Sequence, residues 1–240
     1  MTAEAIGQNR LLEICLEDVG GTAVAVAAGA DRVEVCSRLD VGGLTPSDEL
    51  VEGALSVAAS DRIGVQVLIR CRAGDFSHSR DEIDVMCAEI RGIRGRAESH
   101  RVLDRLGFVV GTLTSARLVD VEALAAYAAA AAGVPITVHK AFDEIVDQSA
   151  ALDTLIAAGV ERVLTSGGAP TAAAGADGIR SLVAQSNGRI AILAGGGVRP
   201  DNVSALLAHT GVHEVHLRAQ DAVGRTDAAV VRTMRSLLDG

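Results

Sequence analysis

Short runs rich in Val, Ile and Leu alternate with Ala- and Leu-rich stretches along the whole chain. Runs of the first kind, bounded by turn residues, read as buried strands and the others as helices, and their alternation is that of βαβ units around a parallel sheet. The pattern predicts strands at residues 11–15, 32–36, 64–70, 107–113, 135–141, 162–166, 190–194 and 214–218. It predicts helices at 22–28, 47–59, 81 to about 106, 120–132, 148–158, a stretch ending near 185, 200–209 and 227–238. The expected fold is α/β, a single (β/α)8 TIM barrel over residues 1–240, because no linker or shift in composition divides the chain. Gly29, Gly133, Gly159 and Gly211 each follow a helical run, where a left-handed cap is wanted, and Pro200 stands at a first helical position. Gly92 and Gly95 interrupt the third helical stretch and predict a bent or split helix there.

The first two strands end alike, in Leu12-Glu13-Ile14-Cys15 and Val33-Glu34-Val35-Cys36. Side chains alternate along a strand, and the aliphatic set must meet the helices, so Glu13, Cys15, Glu34 and Cys36 face the barrel interior. The same parity turns Gln66, Arg70, Thr137, His139, Glu214, His216 and Arg218 inward. Barrel interiors are ordinarily filled with branched apolar side chains, and a buried charge costs several kcal/mol unless paired. Two readings stand side by side. One is a self-compensating network of Glu13, Glu34 and Glu214 with Arg70 and Arg218. The other is a functional pocket at the carboxyl ends of the strands, walled in part by Glu13, Glu34 and His216.

Composition narrows the partners. A net charge of −9 and only four aromatic residues, Phe76, Phe108, Tyr127 and Phe142, argue against a nucleic-acid surface. Residues 1–10 carry charges and no signal-like apolar core, and no later apolar run reaches membrane-spanning length, so a cytoplasmic protein is expected. There Cys15, Cys36, Cys71 and Cys87 are expected to be reduced, and their wide spacing offers neither a CxxC pair nor a zinc knuckle.

Three groups of residues carry candidate chemistry. Cys15 and Cys36 close adjacent strands, and two sulfurs suit a soft ion such as Cu(I); the alternative is that both pack as small hydrophobes. Gly195, Gly196 and Gly197 follow the seventh strand, and with Thr165, Ser166 and Gly167 they offer amide and hydroxyl donors to an anion, or merely a tight turn. Arg70, Arg72 and Asp75 follow the third strand and His139 and Asp143 the fifth, a set suited to gripping a carboxylate or phosphate and moving protons. Lys140, the only lysine, invites a Schiff-base reading, but it alternates out of phase with His139, which turns it from the pocket, and that role is rejected.

These residues fall in motifs that resemble the CutC copper homeostasis family over nearly the whole chain, Leu12 to His216. They read Gly29-Ala30-Asp31-Arg32-Val33-Glu34-Val35-Cys36, Gly42-Gly43-Leu44-Thr45-Pro46-Ser47, Ile69-Arg70-Cys71-Arg72-Ala73-Gly74-Asp75-Phe76, His139-Lys140-Ala141-Phe142-Asp143, Leu164-Thr165-Ser166-Gly167 and Gly195-Gly196-Gly197, besides Leu12-Glu13-Ile14-Cys15. The resemblance implies a (β/α)8 barrel, often a homodimer, with copper (Cu+) as cargo and Cys15 and Cys36 as its ligands. The chain departs from the family pattern at Cys71 and Ala73, where Pro and Gly are usual, at Lys140 for Arg and at His78 for Tyr. Extra residues stand around 92–99, and the loop after the eighth strand is cut to about 220–225. A second class of function stays open, an enzyme acting by acid–base chemistry on a small anionic or phosphorylated metabolite.

Overall fold

In the computed structural model, which describes residues 10–240, eight parallel strands close into a barrel in chain order, each neighbour in sequence being a neighbour in space. The strands are β1 Leu11–Leu16, β2 Arg32–Val35, β3 Gly64–Leu68, β4 Leu106–Val110, β5 Ile136–Val138, β6 Arg162–Thr165, β7 Ala191–Gly195 and β8 Glu214–Leu217. The helices are α1 Gly21–Ala27, α2 Asp48–Ser60, α3 Arg80–His100, α4 Val121–Ala131, α5 Gln148–Ala157, α6 Ala176–Ser186, α7 Val203–Thr210 and α8 Ala228–Asp239. The predicted (β/α)8 barrel is the observed one. Ile14, Val33, Val65, Val163 and Val215 are fully buried on the outer strand faces, which is why each strand reads as an apolar run.

The register explains the polar interior. Glu13 lies opposite Arg32 and His216, Cys15 opposite Glu34, Glu34 opposite Gln66, and Leu193 opposite Glu214. Arg32 donates to both Glu13 and Glu214, the latter at 2.6 Å, and Arg162 donates to Glu214 at 2.5 Å and to Thr137 at 3.3 Å. Large polar side chains fit because small ones face them: a Cβ on Gly107 would run into Gln66. The structural network therefore exists, but its cations are Arg32 and Arg162 rather than Arg70 and Arg218. Both were legible by parity, since Arg32 alternates in phase with Glu34.

Two local expectations are corrected. The third helix is not split: α3 runs unbroken for 21 residues, its buried stripe of Met86, Cys87, Ile90, Ile93 and Ala97 passing straight through Gly92 and Gly95. A capping box of Ser79 and Glu82 fixes its start, and glycine's penalty of about 1 kcal/mol per position is too small to break so long a packed stripe. Pro200 does not open a helix either. It sits in a turn, and α7 starts three residues later, where Val203 donates to the carbonyl of Arg199.

Removing one partner of a buried ion network leaves the others charged and unpaired, a loss of roughly 3–5 kcal/mol. Arg32→Met, which strips the cation from between Glu13 and Glu214, is expected to lower the unfolding free energy by about that amount in urea titration. A loss below about 1 kcal/mol would mean that the network contributes little to folding.

Candidate functional site

A cavity of about 250 Å³ opens at the carboxyl ends of the strands. That is on the order of eight water volumes, room for a small metabolite. Its floor is Cys15, Glu34 and His216, from β1, β2 and β8. Its rim carries Arg70, Lys140, Arg199 and Arg218, with Gly42, Gly196 and Gly197 between them.

The floor is a tight cluster. Sγ of Cys15, a carboxylate oxygen of Glu34 and a ring nitrogen of His216 lie within 4.8 Å of one another. Cys36 is fully buried behind Cys15, Sγ to Sγ 3.5 Å, among Leu68 and Val109, and does not itself line the cavity. His216 places Nδ1 2.7 Å from Glu13 Oε1 and Nε2 3.5 Å from Glu34 Oε2. Burial works against the Glu13 charge, yet Arg32 and His216 outweigh it and hold that carboxyl at about 2. Burial pushes Glu34 up, and the bond to Cys36, burial and the nearby Glu34 push the Cys15 thiol well above the ordinary cysteine range. Burial would lower His216, but its contacts with Glu13 and Glu34 prevail and raise it.

The rim differs in kind. Arg70 is 4 % exposed and donates to the carbonyls of Val41, Gly43 and Gly74, with its guanidinium 4.6 Å from the centre of the Phe76 ring. His139 packs on Phe76 at 5.0 Å between ring centroids, and its Nδ1 accepts from the amide of Ala141, which places the proton on Nε2. That Nε2–H has no partner among the described residues. A Cβ on Gly111 would strike the His139 ring, so glycine there is what admits it.

Of the residues proposed for acid–base work, the fold brings Arg70 and His139 to one cavity and leaves three elsewhere. Arg72 and Asp75 pair with each other at 3.0 Å outside the cavity, where Arg72 also binds Glu82 at the start of α3. Asp143 accepts from the Thr165 hydroxyl, from the Ser166 amide and hydroxyl and from the Gly168 amide, tying the β5 and β6 loops together. The donors of Thr165 and Ser166 thus meet a carboxylate of the chain itself, and the Gly167 amide goes to the Thr165 hydroxyl. Gly195 ends β7, and Gly196 and Gly197 reach the rim.

Lys140 is a correction. Strand β5 stops at Val138 and a short 3-10 turn, Lys140–Glu144, begins at once, so strand alternation no longer governs residue 140. Its side chain lines the cavity, and its Nζ would lie 3.0 Å from a Cβ on Gly196. Arg199 is a further rim cation that no sequence motif singled out. Cys71 and Cys87 stay out of the site, the first packed against the core and the second buried in α3.

The CutC family model matches residues 10–221. The chain belongs to the CutC family. A CutC family protein of Rhizobium meliloti is 39% identical over 95% of this chain and 96% of its own length, and one of Caulobacter vibrioides is 41% identical over 86% and 80%. The crystal structure of CutC from Streptococcus agalactiae superposes with a TM-score of 0.78 at 34% identity, covering 86% of this chain and 97% of that one. Thiamine phosphate pyrophosphorylase from Pyrococcus furiosus, at 16% identity and a TM-score of 0.63, shares the barrel alone.

Burial, and after it the charges of Arg70 and His78, push His139 down to about 3. It therefore stays neutral in the fold while an unfolded histidine takes up a proton near 6.5, so folding stability falls as pH drops from about 6.5 toward 3. The ring-proton shifts of His139 in NMR are expected to stay flat between about pH 5 and pH 8. A titration midpoint near the free-histidine value would contradict the burial described here.

Proposed function

We propose that the protein binds Cu(I) at the floor of the cavity, through the sulfurs of Cys15 and Cys36 with the imidazole of His216 as a third donor. The observation that carries this reading is the 3.5 Å separation of the two sulfurs beside a cluster that already joins Cys15, Glu34 and His216. Thiolate and imidazole are the donors a soft monovalent copper ion accepts, at low coordination number. Linear two-sulfur binding would spread the sulfurs to roughly 4.6 Å, twice a metal–sulfur bond, so the closer pair favours a bent arrangement with a third donor. His216 supplies it. Its Nδ1 faces Glu13, and a metal-binding histidine commonly has its other nitrogen held by a carboxylate in this way. The Streptococcus agalactiae relative bears the name of a copper homeostasis protein, which agrees with this reading.

Both thiols must lose their protons to the ion, and Cys15 holds its proton firmly. Affinity should therefore fall as pH falls, by about tenfold per pH unit for each proton released. The acid–base reading keeps only Arg70 and His139 of its original five residues, because Arg72, Asp75 and Asp143 make their contacts outside the cavity.

In an anaerobic competition against a Cu(I) chelator, Cys15→Ser and Cys36→Ser should each lose more than the roughly 10–100-fold that an outer contact contributes, while Cys87→Ser binds like the parent. Equal affinity in all three variants would remove the site.

A further inference from the structure

We infer that the rim of the cavity is a binding site for a small oxyanion, a carboxylate or phosphate borne on a metabolite, held by Arg70 and Lys140. The chain carries a net charge of −9, yet the cavity is lined by four cations, Arg70, Lys140, Arg199 and Arg218, against one carboxylate, Glu34. The local excess is opposite in sign to that of the whole molecule.

How these cations are already engaged decides which of them wait for a ligand. Arg218 is spent on Glu17, 2.8 Å away. Lys140 lies 3.8 Å from Asp143, whose oxygens are taken up by Thr165, Ser166 and Gly168. Arg70 has no carboxylate within ion-pair distance among the described residues, although it is almost wholly withdrawn from solvent. Its hydrogen bonds go to three neutral carbonyls, and its Nε–H finds no acceptor. A buried guanidinium whose hydrogen bonds all go to neutral groups is costly unless an anion completes it. Glu144 shares the adjoining open groove with Arg70 and Lys140 without reaching ion-pair distance of either.

Side-chain-free backbone leaves room beside both cations. Gly42 and Gly196 have positive φ, and a Cβ there would stand 3.4 Å from Arg70 Nη1 and 3.0 Å from Lys140 Nζ. The cavity wall between rim and floor is apolar, with Leu39, Leu68 and Leu164, so the ligand that fits has an oxyanion at one end and a short apolar body. This site is separate from the thiol floor and does not require copper.

The test is calorimetric titration of the copper-free full chain at low ionic strength with inorganic phosphate and, in a second arm, with malonate. Saturable binding of at least one probe is expected, and the tighter one names the source of the oxyanion. Lys140→Met and Arg70→Gln should each weaken it about tenfold or more, the effect of one charge-assisted hydrogen bond, and Arg180→Ala on α6 should not. Arg70 also anchors three backbone carbonyls, so Lys140→Met, with a 40% exposed side chain, keeps the test readable if Arg70→Gln misfolds. Absence of binding of both probes at millimolar concentration, or Lys140→Met binding as tightly as the parent, would overturn the inference.

Discussion

The molecule is organised around a cation held between two carboxylates at the centre of its barrel. Arg32 bridges Glu13 on β1 and Glu214 on β8, and Arg162 reaches Glu214 from β6, so two buried cations meet one buried and one half-buried carboxylate where most barrels place branched aliphatics. Because these charges are paired and hydrogen-bonded, the interior can be polar without a prohibitive desolvation cost. The same bonds fix positions above them. Glu13, oriented by Arg32, takes Nδ1 of His216, and that contact turns the opposite ring nitrogen toward Glu34 and the floor of the cavity.

A vertical order of chemistry results. Paired ions lie deepest, the Cys15 thiol, Glu34 and an imidazole form the floor with the Cys36 thiol behind it, and arginines with a lysine form the rim. The layers follow from strand register: Cys15 sits one pleat above Glu13 and opposite Glu34, so the sulfur stands next to the carboxylate layer. That proximity adds to a cost, because the bond to Cys36, burial and Glu34 together keep the Cys15 proton in place. A metal ion has to displace it, which makes the proposed floor site selective for an ion with high thiolate affinity.

Much of this was legible in the chain. Alternation of apolar runs and helical stretches indicates a parallel sheet covered on both faces, and a count of eight βα units fits a closed barrel. Parity within strands likewise placed Glu13, Cys15, Glu34 and His216 in one interior. It failed where strands end. Lys140 belongs to a 3-10 turn and does not obey a period of two, and Arg72, expected in the loop after the third strand, is drawn toward Glu82. Asp143 looked free because the sequence does not show that the β6 loop folds its hydroxyls and amides around that carboxylate. Arg32 and Arg162 were in phase with the interior, and they were missed because each opens a strand, where a charged residue ordinarily faces solvent.

The proposed floor site makes a direct spectroscopic claim. Copper K-edge X-ray absorption of the protein loaded anaerobically with a single equivalent of Cu(I) should show a first shell dominated by sulfur, with the outer-shell signature of one imidazole. A shell of nitrogen and oxygen without sulfur would contradict the account.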